Sequence, residues 1–291
     1  METASLIFLV LLVEFIYDPI ATLRNELLIK KSYGIFNSFS KQYIENKFLL
    51  YMSFILFCIL ATIIIKAFLE GYVHSVLSFL FSFIILFYCL RHNEFIERIN
   101  DFKFIIENKA KTGDETILKI LTANMKVNKN FTNNINTITK NLFFSSTRNI
   151  FTVIFWFLLL GPGGALGYKI LDYFSYTKDL RIDQKSRKNI KDISALIEFI
   201  PVRLSALAFA VVGNFEHSLA VWKKFNTDEN NMHKSNIDLI NDIGASSAQL
   251  PLDYNKEDII EKISYIQTLV ARSLLAWLSI IMLLILGGFF N

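Results

Sequence analysis

The chain is poor in the residues that build soluble catalytic, redox and metal sites. Only 2 cysteines occur in 291 residues; Cys58 and Cys89 form no C-x-x-C pair, which excludes a disulfide scaffold and a dithiol motif and leaves them as small apolar fillers. The 4 histidines, at positions 74, 92, 217 and 233, have no zinc-ligand spacing. Gly161 to Lys169 is rich in glycine, yet Gly167-Tyr168-Lys169 does not fit G-x-x-x-x-G-K-[ST], so a Walker-type nucleotide site is rejected. Net charge is only +4 and the basic residues are spread along loops, which argues against a nucleic-acid partner. With 4 prolines, no alternating strand pattern and no internal repeat, one all-α domain is the economical reading.

What is abundant is apolar surface. Hydrophobic residues make up 53% of the chain and phenylalanine occurs 28 times, with a mean hydropathy of +0.40. That is more than a soluble core can bury, so a polytopic membrane protein whose partner is the lipid bilayer is expected. A helix needs roughly 20 residues to cross about 30 Å of hydrocarbon. Phe48 to Leu69, Tyr72 to Leu90 and Val270 to Phe290 meet that length, and Leu6 to Leu23 does so if Glu14 and Asp18 face protein or water. Met1 to Ser5 carries no basic residue and no small-x-small cleavage site follows, so the first helix reads as retained rather than as a signal peptide.

Loop charge sets the expected topology. Arg24, Lys30, Lys31, Lys41 and Lys47 fill the first loop, Glu70-Gly71 alone links the next two helices, and Arg91, Arg98, Lys103, Lys109 and Lys111 follow the return. Both ends of that hairpin obey the positive-inside rule. A simple crossing by Phe151 to Phe174 would put Lys178, Arg181, Lys185, Arg187, Lys188 and Lys191 outside, against the bias. Phe199 to Phe215 contains Arg203 and is a poor lone span. The reading is therefore about four transmembrane helices, with Phe151 to Phe215 packed cytoplasmically or re-entering at the Gly161 to Gly164 break, and both termini periplasmic.

Between residues 91 and 149 a cytoplasmic helical region is expected, since Phe95, Ile96, Ile99, Phe102 and Ile106 recur at helical spacing among charges. Residues 150–222 form a Gly-Pro-broken core segment, and 270–290 a C-terminal transmembrane helix. Thr227 to Asn255 reads as a mobile surface loop.

Polar groups in apolar settings are the candidate site. If Pro201 begins a helix, Arg203, Leu207, Ala210, Asn214 and His217 share one face, lining up a guanidinium, an amide and an imidazole for a small anionic ligand. The alternative is that Arg203 pairs with Glu198 or Glu216 and pins helices together. Gly161, Gly163, Gly164 and Gly167 offer backbone N–H groups to an anion at a helix start, or else a small-x-x-x-small packing face. Lys169, Asp172, Tyr173 and Tyr176 follow at helical spacing and either line the same cavity or mark an interface. Glu14 and Asp18 are weak metal candidates, two carboxylates being too few to specify an ion.

These residues also carry a resemblance. Phe155-Trp156-Phe157-Leu158-Leu159-Leu160-Gly161-Pro162-Gly163-Gly164-Ala165-Leu166-Gly167-Tyr168, Glu198-Phe199-Ile200-Pro201-Val202-Arg203-Leu204 through Gly213-Asn214-Phe215-Glu216-His217, and Arg272-Ser273-Leu274-Leu275-Ala276-Trp277 resemble the AmpE family of bacterial inner-membrane proteins. That resemblance extends over most of the chain. It implies a non-enzymatic regulatory and signalling role in β-lactamase induction and cell-wall stress, with a cell-wall amidase pathway as partner. AmpE is in turn similar to the CobD/CbiB adenosylcobinamide-phosphate synthases, and the alternative it implies is an amide-forming ligase using ATP and Mg²⁺. Val13-Glu14-Phe15-Ile16-Tyr17-Asp18-Pro19 partly echoes the acidic Asp-Pro element of those synthases but lacks its glycine, while Asn214 to His217 and Trp222 lean toward AmpE. The expected mechanism has Arg203, Asn214 and the Gly161 to Gly167 loop holding a phosphorylated or carboxylated small molecule at the cytoplasmic membrane face.

Overall fold

The structure, a computed structural model, describes residues 2–16, 26–73, 75–91, 95–97, 99–100, 103–104, 141–177, 180–228, 231–249 and 256–288. In chain order its helices are α1 (Glu2–Ile16), α2 (Leu27–Ser40), α3 (Lys47–Phe68), a π-helical turn (Leu69–Val73), α4 (Ser75–Cys89), a second π-helical turn (Thr147–Phe151), α5 (Thr152–Tyr176), α6 (Gln184–Val212), α7 (Phe215–Lys224), α8 (Met232–Ser247) and α9 (Lys256–Leu286). No strand occurs among the described residues, so the protein is all-α.

Four stretches are long and apolar enough to cross a membrane: Lys47–Gly71, Asn141–Tyr176, Gln184–Val212 and Ile260–Leu284. Along α3 the side chains of Leu56, Phe57, Leu60, Ile64 and Phe68 are all exposed, an apolar face that hydrocarbon accommodates and water does not. This is a membrane protein. The expected spans over Phe48 to Leu69 and Val270 to Phe290 fall largely on α3 and α9, although α9 stops at Leu286 and Phe290 lies outside the described residues. Tyr72 to Leu90 corresponds to a shorter apolar helix, Ser75–Cys89; Leu6 to Leu23 takes in most of the apolar helix Ser5–Glu14, with residues 17–23 outside the described residues. Conversely, the two segments expected to stay peripheral or re-enter belong to stretches of spanning length. The polar residues from Gln184 onward continue without a break into the apolar ones, so α6 gains a length that its apolar half lacks.

Two compact units partition the chain. The first comprises Met1–Arg91, Thr152–Ile197 and Ile285–Asn291; the second comprises His92–Phe151 and Glu198–Leu284.

In the first unit, α3 and α4 both pack chiefly on α5, and α1 packs on α4. Helix α3 begins where the Asn46 side chain accepts from the Phe48 N–H at 3.0 Å, satisfying one of the donors a helix start leaves open. A buried aromatic cluster then ties several helix ends together. Phe174, near the end of α5, has its ring 5.2 Å from Tyr33 of α2 and 5.0 Å from Tyr51 in the first turns of α3. Tyr33 stacks on Tyr51 at 5.1 Å and meets Phe54 edge-on. Ile182 and Ile190, at the start of α6, are buried in the same cluster, and Tyr88 at the end of α4 packs against it. Arg91, just past α4, pairs with Glu26 ahead of α2 at 3.3 Å. The start of α3, the end of α4, the end of α5 and the start of α6 therefore share one end of this unit. The first basic loop and the basic segment around residues 181–191 lie on the same side of the apolar helices.

The second unit is centred on Phe209 of α6, whose ring meets Phe143 and Phe151 edge-on, with Phe151 also against Trp277 of α9. Where the sequence suggested a mobile loop from Thr227 to Asn255, residues 232–247 form α8. Its start is capped by the Asn231 side chain, which accepts from Lys234 N–H at 3.1 Å, and Leu239, Ile240 and Ile243 are buried at helical spacing. A helical period in that stretch outweighs its Asn and Asp content. Of the amphipathic stripe expected after residue 91, Phe95 and Ile99 are buried; Phe102, Ile106 and residues 105–140 lie outside the described residues.

Two measurements check this arrangement. In a Cys58→Ala/Cys89→Ala background, single cysteines introduced at Lys47 and at Lys185 should react with a membrane-impermeant maleimide from the same side of sealed vesicles; labelling from opposite sides would refute the shared end. Phe174→Ala should lower the unfolding free energy in detergent by about 3–5 kcal/mol, the cost of deleting a buried aromatic side chain, whereas Phe57→Ala on the exposed face of α3 should cost far less.

Candidate functional site

The sequence-predicted site residues fall into two groups, one in each unit. In the first unit, Gly161 has φ 64° and ψ −154°, a backbone region essentially restricted to glycine. Pro162 follows as the first residue of a new helical leg, where its missing N–H costs nothing. The bend is sharp. Residues eight apart in a straight helix are separated by about 12 Å, yet a Cβ on Gly164 would overlap the Trp156 carbonyl oxygen and come within 2.6 Å of Leu160 Cβ. The second leg is thus sharply kinked against the first, and Asn141–Tyr176 is not one straight helix.

Gly163 and Gly167 face α3. A Cβ on Gly167 would sit 2.5 Å from Ile59 Cδ1, and one on Gly163 would sit 3.1 Å from Ile63 Cγ1. Of the two readings of these glycines, the structure supplies the packing one: small residues four apart let α5 and α3 approach closely. Lys169 and Asp172 are 3% and 6% exposed on the second leg, and Lys169 lies within electrostatic reach of Cys89 on α4. Glu14 on α1 is fully buried. All three engage neighbours within the structure. Buried charges in an apolar bundle are tolerated only when so engaged. Asp18 lies outside the described residues, and no group of three or more His, Cys, Asp or Glu side chains converges among the described ones.

In the second unit, the stripe from Arg203 to His217 is interrupted. Pro201 does not begin a helix but lies inside α6, which starts at Gln184, and α6 ends at Val212. Gly213 follows, where a Cβ would be 2.6 Å from Ser247 O and where the next N–H, of Asn214, donates to that same oxygen at 3.0 Å. Asn214 then caps α7: its Oδ1 accepts from His217 N–H at 3.0 Å and lies 3.0 Å from His217 Nδ1. Their hydrogen bonding to each other makes Asn214 and His217 a helix cap rather than a continuation of the Arg203 face. The single-helix premise fails because a close backbone contact with α8 ends α6 after Val212.

Arg203 remains as the polar centre. Its Nη1 donates to Phe199 O at 3.0 Å and to Asn236 Oδ1 at 3.2 Å, and its Nη2 reaches Thr227 Oγ1 at 3.5 Å. The guanidinium carbon lies 3.3 Å from the Phe199 ring centroid, a stacked cation–π contact. Neither Glu198 nor Glu216 is among these contacts, and among the described residues every one is neutral. Asn236 is fully buried and holds one arm of the fork while the side chain as a whole is only half-buried. Arginine has five N–H donors, and three hydrogen bonds leave two for another group. Sequence reading missed Asn236 and Thr227; the helical period of Leu239, Ile240 and Ile243 puts Asn236 on the buried side of α8 and was the available signal.

A glycine series separates strain from packing. Gly161→Ala should destabilise through its positive φ and Gly164→Ala through the Trp156 overlap, each by about 1–3 kcal/mol. Gly34→Ala, with nothing within 4 Å of its Cβ, should be neutral or stabilising by up to about 1 kcal/mol. Thermal unfolding of the detergent-purified proteins checks the order.

No curated protein and no solved structure matches the chain. A family model described as "Regulatory signalling modulator protein AmpE" matches residues 10–289. Its span takes in the bent α5, the Arg203 helix and α9, and the chain belongs to the AmpE family of regulatory signalling modulators.

Proposed function

We propose that this chain is a multi-pass modulator of the bacterial inner membrane, acting in β-lactamase induction and the cell-wall stress response, and that it responds to a small anionic ligand through Arg203. The observation that carries the ligand reading is the neutrality of every Arg203 contact. A guanidinium half-buried in an apolar helix, with no carboxylate among its partners in the described residues and with donors to spare, suits a carboxylate or phosphate arriving from outside the protein. Asn236 and the Phe199 ring hold the fork in place, so little side-chain entropy is lost when an anion docks. Gly161, Gly163, Gly164, Gly167, Lys169 and Asp172 serve the reading indirectly, by fixing the bent α5 on which the first unit is built.

The basic loops that share one end of that unit favour a cytoplasmic location for it by the positive-inside rule. With that orientation, both termini are periplasmic. A cell-wall amidase pathway is the partner consistent with this role. No observation favours the ligase alternative: the family match is to AmpE, and the described residues offer no cluster for Mg²⁺.

The test is a strain lacking the chromosomal copy and carrying a β-lactamase reporter, complemented with wild type, Arg203→Ala or Arg203→Lys at equal membrane abundance and challenged with a β-lactam. Wild type should shift the induction threshold, Arg203→Ala should lose that shift, and Arg203→Lys should retain part of it because charge survives without the fork. An Arg203→Ala protein that modulates like wild type would discard the ligand reading. A wild type without effect on the reporter would discard the pathway.

A further inference from the structure

A second basic feature belongs to the first unit and is independent of the reading given to Arg203. Asn46, Lys47 and Phe48 at the start of α3 and Asp183, Lys185 and Asn189 at the start of α6 line one cleft of about 370 Å³. The two lysines come from segments far apart in sequence, and both are exposed. Among the described residues neither has a salt-bridge partner. The one acidic residue of the cleft, Asp183, is already committed in part: its Oδ2 accepts from Ser186 N–H at 3.0 Å. That bond, chiefly, with a smaller contribution from Lys47, holds the Asp183 carboxyl below its ordinary range. It is ionised at neutral pH, so two cations and one anion leave the cleft net positive.

Position supplies the rest. Helix α3 is of spanning length and begins at Lys47, so the cleft lies where the hydrocarbon begins. Phe48 lines it on the α3 side, and Leu49, Leu56 and Phe57 beyond are exposed. A ligand here meets two ammonium groups at its polar end and an apolar helix face below. We propose that this cleft holds the phosphate of an anionic bilayer phospholipid between Lys47 and Lys185, with the acyl chains lying along the exposed face of α3. Basic clefts at helix ends on the membrane surface recognise headgroups in this way, at a gain per lysine that the surface potential alone does not localise.

Native mass spectrometry of the full chain in detergent, titrated with phosphatidylglycerol, phosphatidylcholine or water-soluble glycerol 3-phosphate, tests it. Phosphatidylglycerol should bind several-fold more tightly than phosphatidylcholine, and Lys47→Gln/Lys185→Gln should weaken it about tenfold, to the phosphatidylcholine level. Asp183→Asn keeps an acceptor for Ser186 N–H while removing the opposing charge, and should tighten phosphatidylglycerol about two- to fivefold. Phosphatidylglycerol binding unchanged in the double variant, or unchanged in Asp183→Asn, would overturn the proposal. So would glycerol 3-phosphate binding as tightly as the lipid, which would make the site one for a soluble phosphate. If the double variant does not fold, the sign of the Asp183→Asn effect decides.

Discussion

The aromatic cluster around Phe174 is the contact on which the first unit depends. Three rings, from α2, α3 and α5, meet within about 5 Å of one another, and the start of α6 closes over them through Ile182 and Ile190. Lipid solvates the outer faces of such helices as well as any protein surface does, so apolar burial supplies little drive for them to associate. Shape-matched aromatic contacts, worth about 0.5–1.5 kcal/mol each beyond their area, and close approach at glycine do that work instead. Because the α3 and α5 rings come from helix ends, they also decide which loops are neighbours. The basic segments that looked incompatible with a simple count of crossings are brought together by this cluster.

The bend at Gly161 is the second constraint, and it explains how one apolar run yields two packing surfaces. A positive φ that only glycine tolerates, followed by a proline suited to a first helical turn, kinks the helix and presses Gly164 against Trp156. Gly163 and Gly167 then fit against Ile59 and Ile63 of α3. Within the first unit these glycines serve architecture: their lack of side chains sets how closely α5 and α3 approach.

Much of this was legible in the residues themselves. Composition and apolar run length specified a helical membrane protein, and the Gly-Pro break marked the bend because no helix passes through φ 64° unaltered. Arg203 stood out as a charge in an apolar setting. Less legible was the extent of α6. Proline suggested a helix start at Pro201, but an interior proline is tolerated where the flanking helix is long and packed, its lost hydrogen bond being a local cost against many contacts. Thr227 to Asn255 misled for a related reason: Asn, Asp and Ser favour turns in isolation, whereas Leu239, Ile240 and Ile243 bury one side of a helix once a partner surface exists.

By itself, then, the sequence determined class, the position of the backbone break and Arg203 as a guanidinium in an apolar run, because each follows from properties of single residues or short runs: hydropathy, allowed dihedral angles, the expense of burying charge. Only the tertiary structure decided that α6 stops after Val212, that Asn214 and His217 form a cap, and that Asn236 and Thr227 are the neighbours of Arg203. Those outcomes rest on contacts between residues tens of positions apart, such as Asn214 N–H to Ser247 O and Arg203 to Asn236. No local pattern encodes which distant carbonyl or amide will be there to accept.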